Sequence, residues 1–86
     1  MYQVLIVDDE PIVKIALRSM IDWESLGFHI CATASNGEEA LEMAERFHPD
    51  LMICDLKMPV MDGIDLIKAT KDKKMDCEFL VISNYE

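Results

Sequence analysis

Three acids and one hydroxyl in this chain stand where short apolar runs stop. The run Tyr2–Val7 is followed by Asp8 and Asp9, residues 51–54 by Asp55, and residues 79–82 by Ser83. If these runs are neighbouring strands of one sheet, three carboxylates gather within about 5 Å and repel by roughly 3 kcal/mol per pair at an effective dielectric near 20. A cation must offset that repulsion. Oxygen ligands, few residues and an open site suit Mg²⁺, which keeps its waters and takes one or two carboxylates together with phosphate oxygens. One isolated acid at a strand end more often caps a helix or faces water. Three acids at the adjoining ends of two strands favour a shared ligand, and Ser83 gains weight only from its position beside them.

The elements that must hold these residues follow from periodicity and punctuation. Residues 2–7 are rich in Val, Leu and Ile and read as a buried strand. Pro11 suits a first helical turn, Asp9 or Glu10 can cap it, and Val13, Ala16, Leu17, Met20 and Ile21 recur at helical spacing, which predicts a helix over 11–22. After Gly27, residues 29–34 predict a second strand, more polar and so nearer an edge. Ser35 and Glu38 form a capping-box pattern. The helix behind it carries Ala40, Leu41, Ala44 and Phe47 on one face and stops before Pro49. Residues 51–54 are a third strand, 59–63 a loop, 64–71 a third helix and 79–82 a fourth strand. Strands alternating with helices at about 25-residue intervals predict right-handed crossovers and a parallel sheet. The near-continuous apolar runs fit burial on both faces. In such sheets ligands bind outside the carboxyl ends of the strands, where strand order reverses.

Composition narrows the function further. Eighty-six residues allow a single domain, over 1–86, with about 64% of its surface hidden on folding. Eight Lys and Arg against seventeen Asp and Glu give a formal charge of -9, which repels nucleic acid and anionic lipid. No direct nucleic-acid or membrane contact is expected. There is no apolar run of roughly 18 residues and no charged n-region at the start, so the expected location is cytoplasmic. Cys31, Cys54 and Cys77 are odd in number, far apart and set in or beside apolar runs; they read as buried reduced thiols. His29 and His48 read as solvent-facing or structural, Met20, Met43 and Met52 as core filler, and Lys71, Lys73 and Lys74 as a solvated helix exit.

Taken together, the run Val-Asp-Asp-Glu-Pro after the first strand, Asp-Leu-Lys-Met-Pro-Val-Met-Asp-Gly after the third and Ser-Asn after the fourth resemble the receiver domain of bacterial two-component response regulators. The resemblance spans residues 2–86. It implies a flavodoxin-like three-layer α/β sandwich with strand order 2-1-3-4-5. It also implies that Asp55 accepts a phosphoryl group from a phosphohistidine on a sensor histidine kinase. By the same resemblance Asp9 and Asp55 ligate Mg²⁺, Asp8 holds the metal site through its waters, and the Lys57 carbonyl supplies a backbone ligand. Ser83 hydrogen-bonds a phosphoryl oxygen and reports phosphorylation, while Pro59 and Gly63 shape the loop after the acceptor. Residues 21–28, Ile-Asp-Trp-Glu-Ser-Leu-Gly-Phe, and the closing Ser-Asn-Tyr-Glu are similar to receivers that precede AraC-type DNA-binding domains. Simple packing of the first helix onto the second strand accounts for Trp23, Leu26 and Phe28 whichever output domain follows.

Against the family pattern, the fourth helix, the fifth strand with its phosphate-pairing Lys and the fifth helix are absent from these residues, and so is an effector domain. The expected fold is therefore incomplete after the fourth strand, whose bare edge invites a homodimer or swapped assembly. Loss of the Lys removes one charge-assisted partner of the phosphoryl group. Asn84 stands where the family more often has a very small residue, which implies slower phosphoryl exchange. Two other readings remain at this point. A pseudo-receiver would serve as an interaction or dimerisation module without phosphorylation. An Asp-nucleophile phosphatase needs Asp-x-Asp after the first strand, where this chain has adjacent acids.

Overall fold

A computed structural model describes residues 1–55 and 63–82, with Asp55 and Gly63 described for their backbone only. Four strands and three helices alternate along the chain: β1 Tyr2–Val7, α1 Pro11–Met20, β2 Phe28–Ala34, α2 Gly37–Phe47, β3 Leu51–Asp55, α3 Gly63–Asp72 and β4 Glu78–Ile82. All pairings are parallel and the spatial order is β2-β1-β3-β4. The order follows the expected 2-1-3-4, with the more polar β2 at an edge.

Alternation along β1 sorts the core into two layers. Leu5 and Val7 face one way and pack with Ala34, Ala40, Ala44, Met52, Cys54 and Leu66, so α2 and α3 cover that side. Val4 and Ile6 face the other way with Ile53, against Leu17 of α1 and Trp23, Phe28 and Ile30. Side chains of period two on a strand require this division, and it produces helix, sheet and helix as three layers. Residue Cys31 has no partner in the β1–β2 register, which runs Val4↔Ile30 and then Leu5↔Ala32. The bulge turns Ala32 and Ala34 toward the α2 side, where small residues let the helix come close. The Cys31 thiol donates to the Val4 carbonyl at 3.3 Å.

Several sequence expectations are corrected. Helix α1 ends at Met20, not residue 22, because Ile21 is already extended and a 3-10 turn over Glu24–Leu26 follows. Gly27 closes that turn at φ +88°, where its N–H donates to the Glu24 carbonyl at 3.1 Å and where a side chain would be strained. Met20 is 82% exposed, not core filler, and Phe47 and Leu26 also face solvent. Trp23 and Phe28 do pack as expected, edge to face with ring centroids 6.3 Å apart, and the indole N–H donates to the Leu17 carbonyl at 2.9 Å. The N-cap of α2 is Asn36, one residue past the expected Ser35. Its Oδ1 accepts from the Glu39 N–H at 2.8 Å. Of the cysteines, Cys54 is buried and Cys31 and Cys77 are half-buried, and none of the three is in a disulfide. His29 does meet an acid, with Nδ1 4.0 Å from Glu24 Oε1. His48 ends α2 in the left-handed region at φ 49°, its N–H donating to the Ala44 carbonyl at 2.9 Å.

Candidate functional site at the carboxyl rim of the sheet

The register fixes how close the strand-end acids come. Val7 lies beside Cys54, so the next residues of the two strands, Asp8 and Asp55, are neighbours across a strand spacing of about 4.8 Å. Asp55 in turn lies beside Ile82 of β4, the residue before Ser83. The structure thus brings Asp8, Asp9 and the backbone of Asp55 to one rim, at the carboxyl ends of the two central strands. Lys57, Pro59, Ser83 and Asn84, and the side chain of Asp55, lie outside the described residues.

Asp8 and Asp9 are adjacent in sequence yet differ in setting. Asp8 is only 5% exposed, while Asp9 faces solvent. The chain leaves β1 under tight control at this point. The Asp8 N–H donates to the Ala34 carbonyl at 3.0 Å, extending the β1–β2 pairing by one residue. Its Oδ1 accepts the Glu10 N–H at 2.9 Å, an Asx-type turn that leads into α1 at Pro11. This replaces the side-chain cap expected from Asp9 or Glu10, since neither caps the helix. Sequence reasoning missed both this turn and the bond from Lys14 Nζ to Ser35 Oγ, at 2.5 Å, that ties α1 to the segment after β2. An Asp two residues before an amide at a helix entrance was the available signal for the turn; nothing local signals the other, because it joins residues 21 apart.

The donor set offered by the rim is hard. It consists of carboxylate oxygen without imidazole or thiolate, since Cys54 points into the α2–α3 layer and both His residues lie elsewhere. Such donors fit Mg²⁺ and not Zn²⁺ or a softer ion. Among the described residues no three His, Cys, Asp or Glu side chains form a metal cluster; the third acid of the rim is Asp55. Two hollows, of about 460 and 410 Å³, sit at the other end of the sheet, around His48, Met75 and Cys77 and around Tyr2, Phe28 and Asp50. Among the described residues no helix is long and apolar enough to cross a membrane.

A model of the response regulator receiver domain matches residues 4–86. The chain belongs to that family. The receiver domain of AraT, a response regulator from Geobacillus stearothermophilus, is 43% identical with a TM-score of 0.90, over 98% of this chain and 65% of that one. A two-component transcriptional regulator AraC from Clostridium phytofermentans is 32% identical with a TM-score of 0.91, over 100% and 67%. Among curated relatives, the transcriptional regulatory protein YesN of Bacillus subtilis is 40% identical over 99% of this chain and 23% of its own length. An uncharacterized response regulatory protein of Staphylococcus epidermidis is 38% identical over 100% and 34%. The chain therefore spans between about a quarter and a third of these two relatives. Receiver domains are signalling switches, and the flavodoxin-like architecture expected from the sequence is the one observed.

Proposed function

We propose that this receiver accepts a phosphoryl group on Asp55 from a sensor histidine kinase, with Mg²⁺, and thereby switches an attached AraC-type DNA-binding domain that regulates transcription. The observation that carries the reading is the register pair Val7↔Cys54, which puts the backbones of Asp8, just after β1, and Asp55, the last residue of β3, side by side at the rim where doubly wound sheets bind ligands. In this reading an Asp55 carboxylate oxygen forms the new O–P bond as the P–N bond of the donor phosphohistidine breaks. The imidazole leaves with its electron pair and takes up a proton. Asp9 and Asp55 would hold the metal by their carboxylates, Asp8 would act through its waters, and the Lys57 carbonyl would add a backbone ligand. Mg²⁺ supplies neutralisation of charge on the phosphoryl oxygens. Ser83 donates its hydroxyl to one of those oxygens and carries the signal outward. Low exposure of Asp8 supports its indirect role, because a carboxylate held inside by its own turn is placed to order waters.

The formal charge of -9 supports leaving DNA contact to the effector domain. On β4, an outer strand of the sheet, Leu80 is 53% exposed and Val81 and Ile82 also reach solvent. This edge suits pairing with β4 of a second copy. Sedimentation across a concentration series checks it: a growing dimer fraction is expected, and a monomer throughout removes the pairing.

The primary test is exposure to acetyl phosphate with and without Mg²⁺, read by intact mass. A gain of one phosphoryl group that needs Mg²⁺ is expected. No gain under any condition would leave an interaction module that never takes phosphate.

A further inference from the structure

Five bonds around the rim close into a ring. The Asp8 N–H donates to the Ala34 carbonyl at 3.0 Å, and Ser35, the next residue, accepts from Lys14 Nζ at 2.5 Å. The Lys14 N–H donates to the Glu10 carbonyl at 3.3 Å, and the Glu10 N–H returns to Asp8 Oδ1 at 2.9 Å. The covalent link between Ala34 and Ser35 completes the circuit. Every bond in it is local or belongs to the sheet except one. Lys14 to Ser35 joins the second turn of α1 to the segment after β2, and so fixes the helix entrance relative to the sheet.

We infer that Lys14 is a positioning residue: by holding Ser35 it locks the entrance of α1 and so sets the direction of the Asp8 carboxylate at the rim. An Asx turn survives only while its amide stays in place, and the Glu10 amide is part of the chain that Lys14 anchors. Without the anchor, Leu17 still packs α1 on the sheet farther along the helix, but its entrance beside Asp8 loses its tie to the segment after β2, and the carboxylate gains rotamer freedom. Groups that orient metal ligands commonly change metal affinity by about ten- to a hundredfold when removed. The consequence for Mg²⁺ rests on the site proposed above; the lock itself does not.

The test uses the chain with Lys14→Met, Ser35→Ala, both together, and Lys14→Arg. Amide exchange by NMR reads the lock directly. The Glu10 amide is expected to exchange about three- to tenfold faster in Lys14→Met and in Ser35→Ala, with Leu5 and Met52 in the core unchanged. Ser35→Ala keeps every charge, so a pure field effect of Lys14 would be absent from it. The double variant is expected to match the single ones, because both remove the same bond, and Lys14→Arg to restore slow exchange. Calorimetric titration with Mg²⁺ is expected to show a dissociation constant raised about tenfold in the same variants. Unchanged Glu10 exchange, additive effects, or uniform acceleration across the core overturns the inference. A wild-type chain that shows no affinity for Mg²⁺ overturns its metal consequence and the site reading, while Glu10 exchange still decides the lock.

Discussion

Asp50 and Asp55 bracket the same strand with four apolar residues between them, yet they belong to two different kinds of acidic end. At the amino ends of the strands, Asp50 is a structural clip. Its Oδ2 accepts the Gln3 N–H at 2.7 Å, its own N–H donates to the Gln3 carbonyl at 2.8 Å, and its carbonyl accepts from the Glu78 N–H at 2.9 Å. One residue thus ties the starts of β1, β3 and β4. Nearby Asp76 and Glu78 line the same hollow as Tyr2 and Phe28, whose rings lie 5.9 Å apart. At the carboxyl ends, Asp8 and Asp9 follow β1 and the backbone of Asp55 closes β3 at the same rim. Acidity alone therefore does not mark a site. What separates the two ends is what the carboxylate holds: that of Asp50 accepts an amide of a neighbouring strand, whereas that of Asp8 accepts the Glu10 amide in its own turn, beside the backbone of Asp55.

The comparison is broken most directly at its two poles. Asp55→Asn is expected to abolish the phosphoryl gain seen by intact mass, whereas Asp50→Asn retains it; loss in both would erase the distinction. Next in size is the chemistry of Cys77, beside the clip. Burial, followed by the charges of Asp50 and Glu78, pushes its thiol from the usual 9.0 up to about 11. Below pH 9 its thiolate fraction, and its alkylation by iodoacetamide, should fall about a hundredfold short of an ordinary thiol. Peptide mapping of alkylated protein near pH 8 checks this, and a rate equal to a free thiol refutes it. The same shift has a sign for stability. The folded state keeps the Cys77 proton that the unfolded chain loses, so this contribution is full below pH 9 and is lost as pH rises toward 11. Asp9→Asn sharpens the other pole, with Mg²⁺-dependent phosphoryl uptake expected to slow about tenfold while thermal unfolding stays close to wild type. The smallest effect belongs to Asp50→Ala, which removes one exposed hydrogen bond to the backbone and should lower stability by about 1 kcal/mol in urea titration, with phosphoryl uptake unchanged.

Much of this was legible in the residues. Val, Leu and Ile at 2–7 and the apolar run at 51–54 announce buried parallel strands, and the acids after them announce the rim, because a strand that must be apolar throughout shows its end sharply. Misreadings cluster where local pattern is a weak guide. Met20 continues the apolar spacing of α1, but Ile21 turns extended and the exposed helix end has nothing to pack against among the described residues. Ser35 satisfies the letters of a capping box, but the chain enters α2 one residue later and leaves Ser35 to Lys14. That exchange of partners depends on how α1 lies over β2, which no window of neighbouring residues contains. Residue 31 is similar: a bulge is a relation between two strands, and only the pairing Leu5↔Ala32 exposes it.

The skipped residue Cys31 has a consequence for growth. A new strand can be added only along a straight, evenly spaced row of backbone groups, and a kinked border offers no such row. The β2 border carries that kink, while β4 does not. Among the described residues, then, the interrupted row on β2 makes that border the one least able to accept a further strand, and the bulge guards the sheet on that side.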